Sequence, residues 1–329
     1  MAILITGGAG YVGSHAVHAL AACGYALAVV DNLSTGFRAA VPEGVHFYEG
    51  DIRDRSFLDG VFAAEPVEGV IHFAASSQVG ESMAHPLRYY DNNLAGTRVL
   101  LESMLAHGVK TIVFSSSAAV YGEPQQVPIR ETDPTNPTNC YGETKLAMER
   151  MMHWAEAAHG LRYVALRYFN ACGARMGGGI GEAHDPETHL IPLILQVANG
   201  QRPQIAVFGT DYPTPDGTCV RDYVHVDDLA QAHRLALEYL LRGGESLCIN
   251  LGSGSGFSVR EMIDAVRRIT GHAIPVSEQP RRAGDPAVLV ASIEKAAAVL
   301  GWQPQCSDLE QVIASAWAWH RTHPKGYME

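Results

Sequence analysis

Short apolar segments alternate with longer segments of helix length along the first half of the chain. Apolar runs of strand length cover 2–6, 26–31, 45–48, 70–73, 111–114 and 163–166, and a stretch of helix length at 11–23 separates the first two. Strands that are apolar throughout are typical of a parallel sheet covered by helices on both faces. The pattern therefore predicts the α/β class, with a doubly wound parallel-sheet Rossmann domain.

This rhythm changes near residue 171. Glycines at 177–179 open a polar stretch that reaches 188, and prolines then recur at 192, 203, 213 and 215. A further strand is predicted at 246–251 and a helix at 259–270. We therefore expect a Rossmann domain over 1–175 and a smaller α/β domain over 176–329, although later segments such as 221–250 can rejoin the first domain.

The composition of the chain limits which ligands and which cellular compartment are expected. The chain has 329 residues and a formal net charge of −11, so its overall field does not attract nucleic acid or an anionic membrane. It begins without a signal-peptide pattern and has no apolar run long enough to span a bilayer. Its six cysteines are scattered, which favours a reducing cytoplasm, and its fifteen histidines form no H-E-x-x-H pattern, so no metal site is predicted.

A glycine-rich loop follows the first predicted strand and opens the first helix. Gly7, Gly10 and Gly13 permit a tight turn, close approach to a pyrophosphate and helix–strand packing, while the helix N-terminus offers N–H groups to the phosphates. The second strand ends at Asp31, where a carboxylate binds the adenosine ribose and repels a 2′-phosphate. These features predict a site for NAD rather than NADP. Asp51 is placed to cap the adenine, although alone it could be a helix N-cap.

Tyr141 and Lys145 lie four residues apart at the start of a predicted helix, and so on one helix face. Removing a proton from a sugar hydroxyl needs a base, and lowering the pKa of a tyrosine from about 10 to about 7 takes roughly 4 kcal/mol. A unit charge about 4 Å away at an effective dielectric of about 20 supplies this much, and Lys145 and the nicotinamide ring are the expected sources. Ser117 follows a strand at the carboxyl edge of the sheet, where it can relay a proton or hold the sugar hydroxyl.

Longer motifs carry a resemblance to a known family. They include, in chain order, TGGAGYVG, GDIRD, HFAA, VGES, YYDNN, SSSAAVYG, YGETK, LRYFNACG and VRDYVHVDDLA. The chain resembles the extended short-chain dehydrogenases/reductases, and among them the bacterial UDP-glucose 4-epimerases, from residue 2 to the C-terminal HPKGY. The resemblance implies an isomerase of galactose metabolism: hydride passes from sugar C4 to bound NAD, the 4-keto intermediate rotates, and hydride returns to the opposite face.

The resemblance also implies a role for each matching residue. Tyr141 is the base, Lys145 positions it together with the nicotinamide ribose, and Ser117 binds the reacting hydroxyl. The residues expected around NAD are Gly7, Gly10, Tyr11, Val12, Gly13, Asp31, Asn32, Leu33, Ser34, Thr35, Gly36, Asp51, Ile52, Phe73, Ala74, Ala75, Ser77, Asn92, Ser115, Tyr141, Lys145 and Phe169. Those expected around the UDP-sugar are Ser117, Tyr141, Asn170, His189, Leu190, Ala206, Val207, Phe208, Arg221, Tyr223, Arg282, Asp285 and Leu289.

Several finer expectations follow. Arg221 and Arg282, from separate segments, are expected to clamp the diphosphate. Ser77 stands where some relatives carry a lysine near the nicotinamide ribose, so that contact is lost or replaced. Leu289 stands where some carry a tyrosine, which predicts room for the N-acetyl group of UDP-GlcNAc and UDP-GalNAc. The resemblance further implies a nucleotide-sugar-binding domain over 176–329 and a homodimer packed through helices near 86–107 and 141–159.

Three other functions share features with this sequence. A nucleotide-sugar dehydratase needs an acid pair after the serine, but Ala118 and Ala119 occupy those positions and cannot protonate a leaving hydroxyl. A 4-epimerase of another UDP-sugar, glucuronate or a pentose, needs the same chemistry and stays open. A nucleotide sensor on a catalytically dead scaffold could dispense with Tyr141 and Lys145, yet both are present.

Overall fold

A computed structural model describes residues 1–282 and 285–328. The strands are β1 Ala2–Thr6, β2 Ala26–Asp31, β3 His46–Glu49, β4 Val67–His72, β5 Thr111–Ser115, β6 Arg162–Tyr168, β7 Asn170–Cys172, β8 Ile205–Phe208, β9 Val220–Arg221, β10 Tyr223–His225, β11 Leu247–Leu251, β12 Phe257–Ser258, β13 Val276–Gln279 and β14 Val288–Leu289. The α-helices are α1 Tyr11–Ala22, α2 Arg55–Ala64, α3 Val79–Ala84, α4 Pro86–Tyr89, α5 Gly96–Ala106, α6 Cys140–His159, α7 Leu190–Ala198, α8 Val226–Leu241, α9 Val259–Thr270, α10 Glu294–Leu300 and α11 Leu309–Thr322. Short 3₁₀ turns cover Arg38–Ala40 and Ala118–Tyr121, and a π-helical turn covers Tyr90–Ala95.

Seven of these strands form the central sheet, in the order β11-β6-β5-β4-β1-β2-β3. Every pairing within it is parallel. Buried side chains of α1, α8 and α10 cover one face, and those of α2, α5 and α6 cover the other. The prediction of a doubly wound α/β sheet is therefore confirmed. Strand β11 joins the sheet although it follows β7 to β10 along the chain, so the segment that ends at 251 returns to the central sheet.

A second, smaller core lies outside the sheet. Buried residues of α7, α9 and α11, among them Ile194, Met262 and Val312, pack with Ile205 of β8. The strands here pair in small groups, β8 with β13, β7 with β10, and β9 between β12 and β14. Sequence analysis did not predict most of these strands because they contain only two to four residues, too few to show a periodicity.

Capping groups fix the helices that bear on the site. Asn139 precedes α6, and its Oδ1 accepts a hydrogen bond from the backbone N–H of Gly142 at 2.8 Å. Gly160 ends the same helix in the left-handed conformation. Within the described ranges, the molecule contains no helix with both the length and the apolar character that crossing a bilayer requires.

Candidate active site

The glycine loop between β1 and α1 adopts a conformation that side chains would block. Gly7 has a φ of +74°, and a Cβ there would lie 2.5 Å from the backbone nitrogen of Ala74. A Cβ on Gly13 would lie 2.1 Å from the carbonyl oxygen of Gly7. Helix α1 begins after Gly10 without a side-chain cap and without an acid in its first turn. Its first N–H groups and the positive end of its dipole are therefore free for an anion.

Asp31 ends β2 beside this loop and is 8% exposed. One carboxylate oxygen accepts the N–H of Ala9 at 2.9 Å, and the other accepts the N–H of Leu33 at 2.8 Å. Leu33 takes a left-handed conformation with a φ of 55°, and Gly36 packs so closely on Ala9 that a Cβ would lie 2.8 Å from its carbonyl carbon. The 31–36 segment thus folds over the glycine loop, with Asn32, Ser34 and Thr35 exposed at its rim.

Asn32 and Asp51 come together at the same rim. The Asn32 amide donates to Asp51 at 3.1 Å. The Arg53 guanidinium donates to both oxygens of Asp51 at 2.9 and 2.7 Å and so lowers the pKa of that carboxyl to about 2. Ile52, by contrast, is buried against Gly96 of α5. Because the Asp51 carboxylate accepts these hydrogen bonds, its orientation is fixed and its charged form is favoured.

The segment after β4 passes close beside the loop. The backbone N–H groups of Phe73 and Ala74 both donate to the carbonyl of Thr6, at 2.8 and 3.1 Å. Asn92, in the π-helical turn, donates to the Ser76 hydroxyl at 3.2 Å, and Ser77 is exposed. Ala75 continues this segment and is partly buried. The predicted residues 73–77 and Asn92 are thus brought to one side of the glycine loop.

Asn93 is a residue that sequence analysis did not single out. It is fully buried, accepts the N–H of Ser76 at 2.8 Å and donates to the carbonyl of Ser76 at 3.1 Å. It also donates to the Thr144 hydroxyl of α6 at 3.0 Å. It thereby ties the segment after β4 to the helix that carries Tyr141. The repeated asparagine in YYDNN was the only signal in the sequence, and it does not tell the two apart.

The serine run after β5 reaches three different partners. The Ser115 hydroxyl pairs with the Tyr168 phenol at 2.6 Å, and Ser116 donates to Glu149 at 2.6 Å. The Ser117 hydroxyl caps the 3₁₀ turn by accepting the N–H of Ala119 at 3.1 Å. All three serines are buried, so their hydroxyls are held in fixed directions at the carboxyl edge of the sheet.

Tyr141 and Lys145 extend from the first turn of α6 toward these serines. The Lys145 ammonium donates to the carbonyl of Ser115 at 2.8 Å and lies 5.8 Å from the centre of the Tyr141 ring. Ser117 faces the Tyr141 phenol closely enough to influence its pKa. The three predicted catalytic side chains therefore meet at one point, as the spacing in the sequence indicated.

Burial shifts the pKa of both members of this pair. Burial raises the pKa of Tyr141 and the Ser117 hydroxyl only partly counters it, while the expected lowering rests on Lys145 together with the nicotinamide charge. Burial also lowers the pKa of Lys145 to about 7, against the opposing effect of the Glu149 carboxylate. Both charged forms are disfavoured because the two groups share a desolvated environment. The expected lowering of the Tyr141 pKa therefore depends on the nicotinamide charge as well as on Lys145.

A buried polar network lies beneath the serines. Glu149 of α6 and Arg167 of β6 pair at 2.9 and 2.6 Å, with side chains only 5% and 7% exposed. Arg167 also donates to the Tyr121 phenol at 2.8 Å, which donates to Asn250 of β11 at 2.7 Å. Sequence analysis missed this network because its members come from four separate segments. It fixes Ser116 and the helix of Tyr141 to the sheet.

The predicted UDP-sugar residues lie around β7 to β10 and β14. Asn170 donates to the carbonyl of Asp222 at 2.8 Å. Arg221 forms an ion pair with Asp285 and also donates to the carbonyl of Val220 at 2.8 Å. The Arg282 guanidinium stacks 4.1 Å from the centre of the Phe208 ring. Asp285, the partner of Arg221, donates its backbone N–H to the carbonyl of Arg282 at 3.3 Å, so the two arginines lie in one neighbourhood.

Some predicted side chains point away from this neighbourhood. In β8, Ala206 and Phe208 are partly exposed, while Val207 is 2% exposed and packs in the smaller core. Tyr223 is also buried in that core. These two residues can reach a ligand only through their backbone or after a local movement. The alternation of a strand explains the result for Val207.

His189 and Leu190 lie where α7 begins. The His189 imidazole contacts Glu187 at 2.9 Å and Glu182 at 3.0 Å. Burial alone would lower the pKa of His189, but these two carboxylates raise it to about 10. Leu190 is partly buried against the smaller core. The His189 imidazole, which is predicted to contact the substrate, therefore already contacts two carboxylates.

Leu289 and Phe169 pack beside the turn that follows Ser117. Both pack against a small buried cluster that contains Ala118 and Tyr121 of the 3₁₀ turn after Ser117. Ala118 and Ala119 are part of that turn, so an acid pair is absent at the positions a dehydratase would need. The Leu289 side chain therefore lies beside the 3₁₀ turn that follows Ser117.

The residues present fit a dinucleotide. The glycine cradle, the uncapped start of α1 and the acid at the end of β2 occupy the carboxyl edge of a parallel sheet, where dinucleotides bind in this fold class. The sequence matches the NAD dependent epimerase/dehydratase family over residues 3–252. The chain belongs to this family.

Relatives of known structure and activity cover the full chain. A UDP-glucose 4-epimerase of Halalkalibacterium halodurans is 58% identical over 99% of this chain and 98% of its own length. A crystal structure of a UDP-glucose 4-epimerase is 56% identical, with a TM-score of 0.98 and full coverage of both chains. The Bifidobacterium longum UDP-glucose 4-epimerase, crystallised with NAD⁺ and UDP, is 40% identical, with a TM-score of 0.93 and coverage of 99% and 100%. The family assignment made from the motifs is confirmed, and the cofactor of the family is NAD.

Proposed function

We propose that this member of the epimerase family interconverts UDP-glucose and UDP-galactose with a permanently bound NAD. The observation that carries the proposal is the convergence of Ser117, Tyr141 and Lys145 beside the glycine loop at one edge of the sheet. Relatives of this length and identity carry the name of that activity. The fold alone would not identify the reaction, but the site does.

The glycine loop and the segments folded around it would hold the cofactor. The N–H groups at the start of α1 bind its pyrophosphate, and Asp31 and Asn32 lie at the rim that suits the adenosine ribose. NAD⁺, when bound, supplies a hydride acceptor and a second positive charge for the reaction. Lys145 holds the nicotinamide ribose, with its ammonium fixed by Ser115.

Tyr141 moves the proton. Its phenolate accepts the proton of the sugar 4-hydroxyl while Ser117 holds that oxygen, and it returns the proton to the oxygen when the opposite face of the sugar has been presented. The cationic form of Lys145 favours the phenolate, and Glu149 raises the pKa of Lys145 against burial and so helps to keep that cation. The proton therefore stays within the site throughout turnover.

The smaller region anchors the nucleotide. Arg221 and Arg282 provide the local positive charge that a diphosphate needs on a chain with net charge −11. Asp285 orients Arg221 through their ion pair. Holding the nucleotide firmly and the hexose loosely lets the sugar turn over without leaving the site.

The domain division follows the same split. We infer an NAD-binding domain of 1–175 that 221–250 rejoins, and a nucleotide-sugar-binding domain in the remainder of 176–329. The pairing of β11 with β6 and the packing of α8 on the central sheet support this division. The six cysteines are all free thiols, which supports a reducing cytoplasm.

Leu289 supports a broader substrate range. Its side chain borders the Ser117 turn and is smaller than the tyrosine of some relatives, which leaves room for an N-acetyl group. We expect turnover of UDP-GlcNAc comparable to that of UDP-glucose, and a preferential loss of UDP-GlcNAc turnover in Leu289→Tyr. Absence of UDP-GlcNAc turnover by the unaltered chain would contradict this.

A homodimer packed through the helices near 86–107 and 141–159 is the proposed assembly. Met83, Leu87 and Tyr90, in or next to the first of these segments, are exposed large apolar residues, and Trp154 of α6 is 70% exposed. Exposed apolar patches of this kind mark association surfaces. Sedimentation of the unaltered chain should give a dimer, and Leu87→Glu combined with Trp154→Glu should give a monomer.

A panel of UDP-sugars tests the proposed reaction. The purified chain should convert UDP-glucose to UDP-galactose and back, with no change in the mass of the substrate. Loss of one water from the product would identify a dehydratase instead. Exclusive turnover of UDP-glucuronate or a UDP-pentose would move the proposal to an epimerase of that sugar, because such an enzyme needs the same proton and hydride chemistry.

A further inference from the structure

Four side chains outside the proposed catalytic centre converge in the loop before α7. Glu182, His184, Glu187 and His189 each place one nitrogen or oxygen donor so that all four lie within 4.8 Å of one another. The carboxylate side chains are only 4% and 6% exposed. Sequence analysis predicted no metal site because the spacing of these residues matches none of the common zinc patterns.

The donors lie at separations close to those of a tetrahedral metal site, with the two His189 contacts shorter than its edges. His184 Nδ1 lies 3.2 Å from a Glu182 oxygen and 3.5 Å from a Glu187 oxygen. His189 Nδ1 lies 3.0 Å from Glu182 and 2.9 Å from Glu187. Ligands about 2.0–2.2 Å from a tetrahedral zinc ion are separated by about 3.3–3.5 Å. Completing such a site requires His189 to move slightly away from the two carboxylates and Glu187 to present one oxygen to the ion.

The orientation of the donors is fixed from outside the cluster. One oxygen of Glu187 accepts the backbone N–H groups of Thr188 and His189 at 2.7 and 2.8 Å. His184 Nδ1 is buried and makes no aligned hydrogen bond with any of the described residues. A buried imidazole nitrogen that faces two carboxylates without bonding to them is suited to donate its lone pair to a cation.

The charge of the cluster suits a divalent ion. Two buried carboxylates carry two negative charges, and a divalent cation that displaces the protons held on the two imidazoles balances those charges within one small volume. Imidazole together with carboxylate is a donor set typical of zinc and neighbouring transition metals.

We propose that Glu182, His184, Glu187 and His189 bind one divalent transition-metal ion, preferentially Zn²⁺, as a structural site with four protein ligands. The ion fixes the loop before α7 to two neighbouring elements, α1 and α11. The His184 ring lies 6.1 Å from that of Tyr11 in the glycine loop, and the Trp319 indole of α11 donates to the carbonyl of Glu182 at 3.0 Å. The site does not depend on which sugar the protein uses.

Zinc titration of the full chain, after removal of metals by a chelator, tests the proposal. One Zn²⁺ should bind per chain and raise the melting temperature. His184→Asn and Glu187→Gln should each weaken binding at least ten-fold, while His272→Asn, which removes an exposed imidazole elsewhere, should not. Equal affinity in all four proteins, or no saturable binding by the unaltered chain, would overturn the proposal.

Cobalt spectroscopy gives a second test that needs no variant. Co²⁺ at this site should give intense visible bands of tetrahedral coordination without thiolate charge-transfer bands, since no cysteine contributes to the cluster. Weak octahedral bands, or thiolate bands from one of the six cysteines, would place the ion elsewhere and contradict the proposed ligand set.

Discussion

The proposed catalytic centre and the proposed nucleotide anchor are built in different ways. Ser117 follows a strand of the central sheet, Tyr141 and Lys145 extend from a 20-residue helix, and a buried polar network ties that helix to Ser116, the neighbour of Ser117. Arg221 and Arg282 come from a two-residue strand and a surface segment, and their partners are an ion pair and an aromatic face. Groups that exchange a proton need fixed geometry, whereas groups that hold a diphosphate need charge within reach. The molecule therefore places rigidity where bonds change.

Removing the base should have the largest effect on the catalytic side. Tyr141→Phe deletes the phenol that moves the proton, and general acid–base groups contribute roughly 10²–10⁴-fold to rate. We expect a loss of kcat in that range with NAD still bound, measured by turnover and by cofactor content after gel filtration. Tyr25→Phe, which removes a phenol remote from the site and bonded to Glu238, serves as the control. Turnover at the unaltered rate would contradict the assignment of the base.

Breaking the buried network should next destabilise the fold. Glu149→Gln leaves the Arg167 charge buried without its carboxylate, which costs about 3–5 kcal/mol in comparable buried pairs. Urea unfolding should show this loss. Glu102→Gln breaks the exposed pair with Arg98 and should cost less than about 1 kcal/mol. Equal losses in the two variants would mean that the network does not carry the rigidity assigned to it.

The anchor should respond in KM. Arg282→Ala removes charge-assisted hydrogen bonds worth about 1.5–3 kcal/mol, so KM for UDP-glucose should rise roughly 10–100-fold while kcat changes little. The neighbouring Arg281 stacks on Tyr212 at 4.2 Å and bonds to Asp211, and Arg281→Ala should leave KM nearly unchanged. A fall in kcat with constant KM would place Arg282 in the chemical step instead.

A buried histidine of the central sheet should make the stability of the protein depend on pH. His72, fully buried between Thr6 and Thr97, has its pKa lowered by burial to about 3. The unfolded chain then takes up the proton first, with a pKa of about 6.5, so the free energy of unfolding falls as the pH drops below that value. Between pH about 7 and about 5 this histidine should account for about 2 kcal/mol. His72→Gln should flatten that part of the pH dependence, and an unchanged slope would contradict the assignment.

The same contrast explains what the sequence could predict. The glycine loop, Asp31 and the Tyr141–Lys145 pair are local patterns on regular elements, and the structure brings them together as expected. The roles of Asn93 and of the Glu149–Arg167 pair were not predicted because their partners are distant along the chain. Such side-chain networks depend on tertiary packing, which no local spacing encodes.

Predictions were weaker around the nucleotide anchor. Val207 was expected at the ligand, but the alternation of β8 turns its side chain into the core. His189 was expected on the substrate, but its imidazole faces two carboxylates that lie two and seven residues earlier. The short strands there give no periodicity from which to assign a face, so motif matching identified the segment but not the direction of each side chain.

The fate of the hydrogen at C4 tests the central claim most directly. UDP-glucose carrying deuterium at C4 is incubated with the purified chain and its bound cofactor in ordinary water, and the UDP-galactose formed is examined by NMR and mass spectrometry. Removal and return of one hydride within a closed site predicts that the product keeps its deuterium at C4. Replacement of that deuterium by solvent hydrogen would contradict the account, because it would show that C4 loses a proton to water instead of a hydride to the bound cofactor.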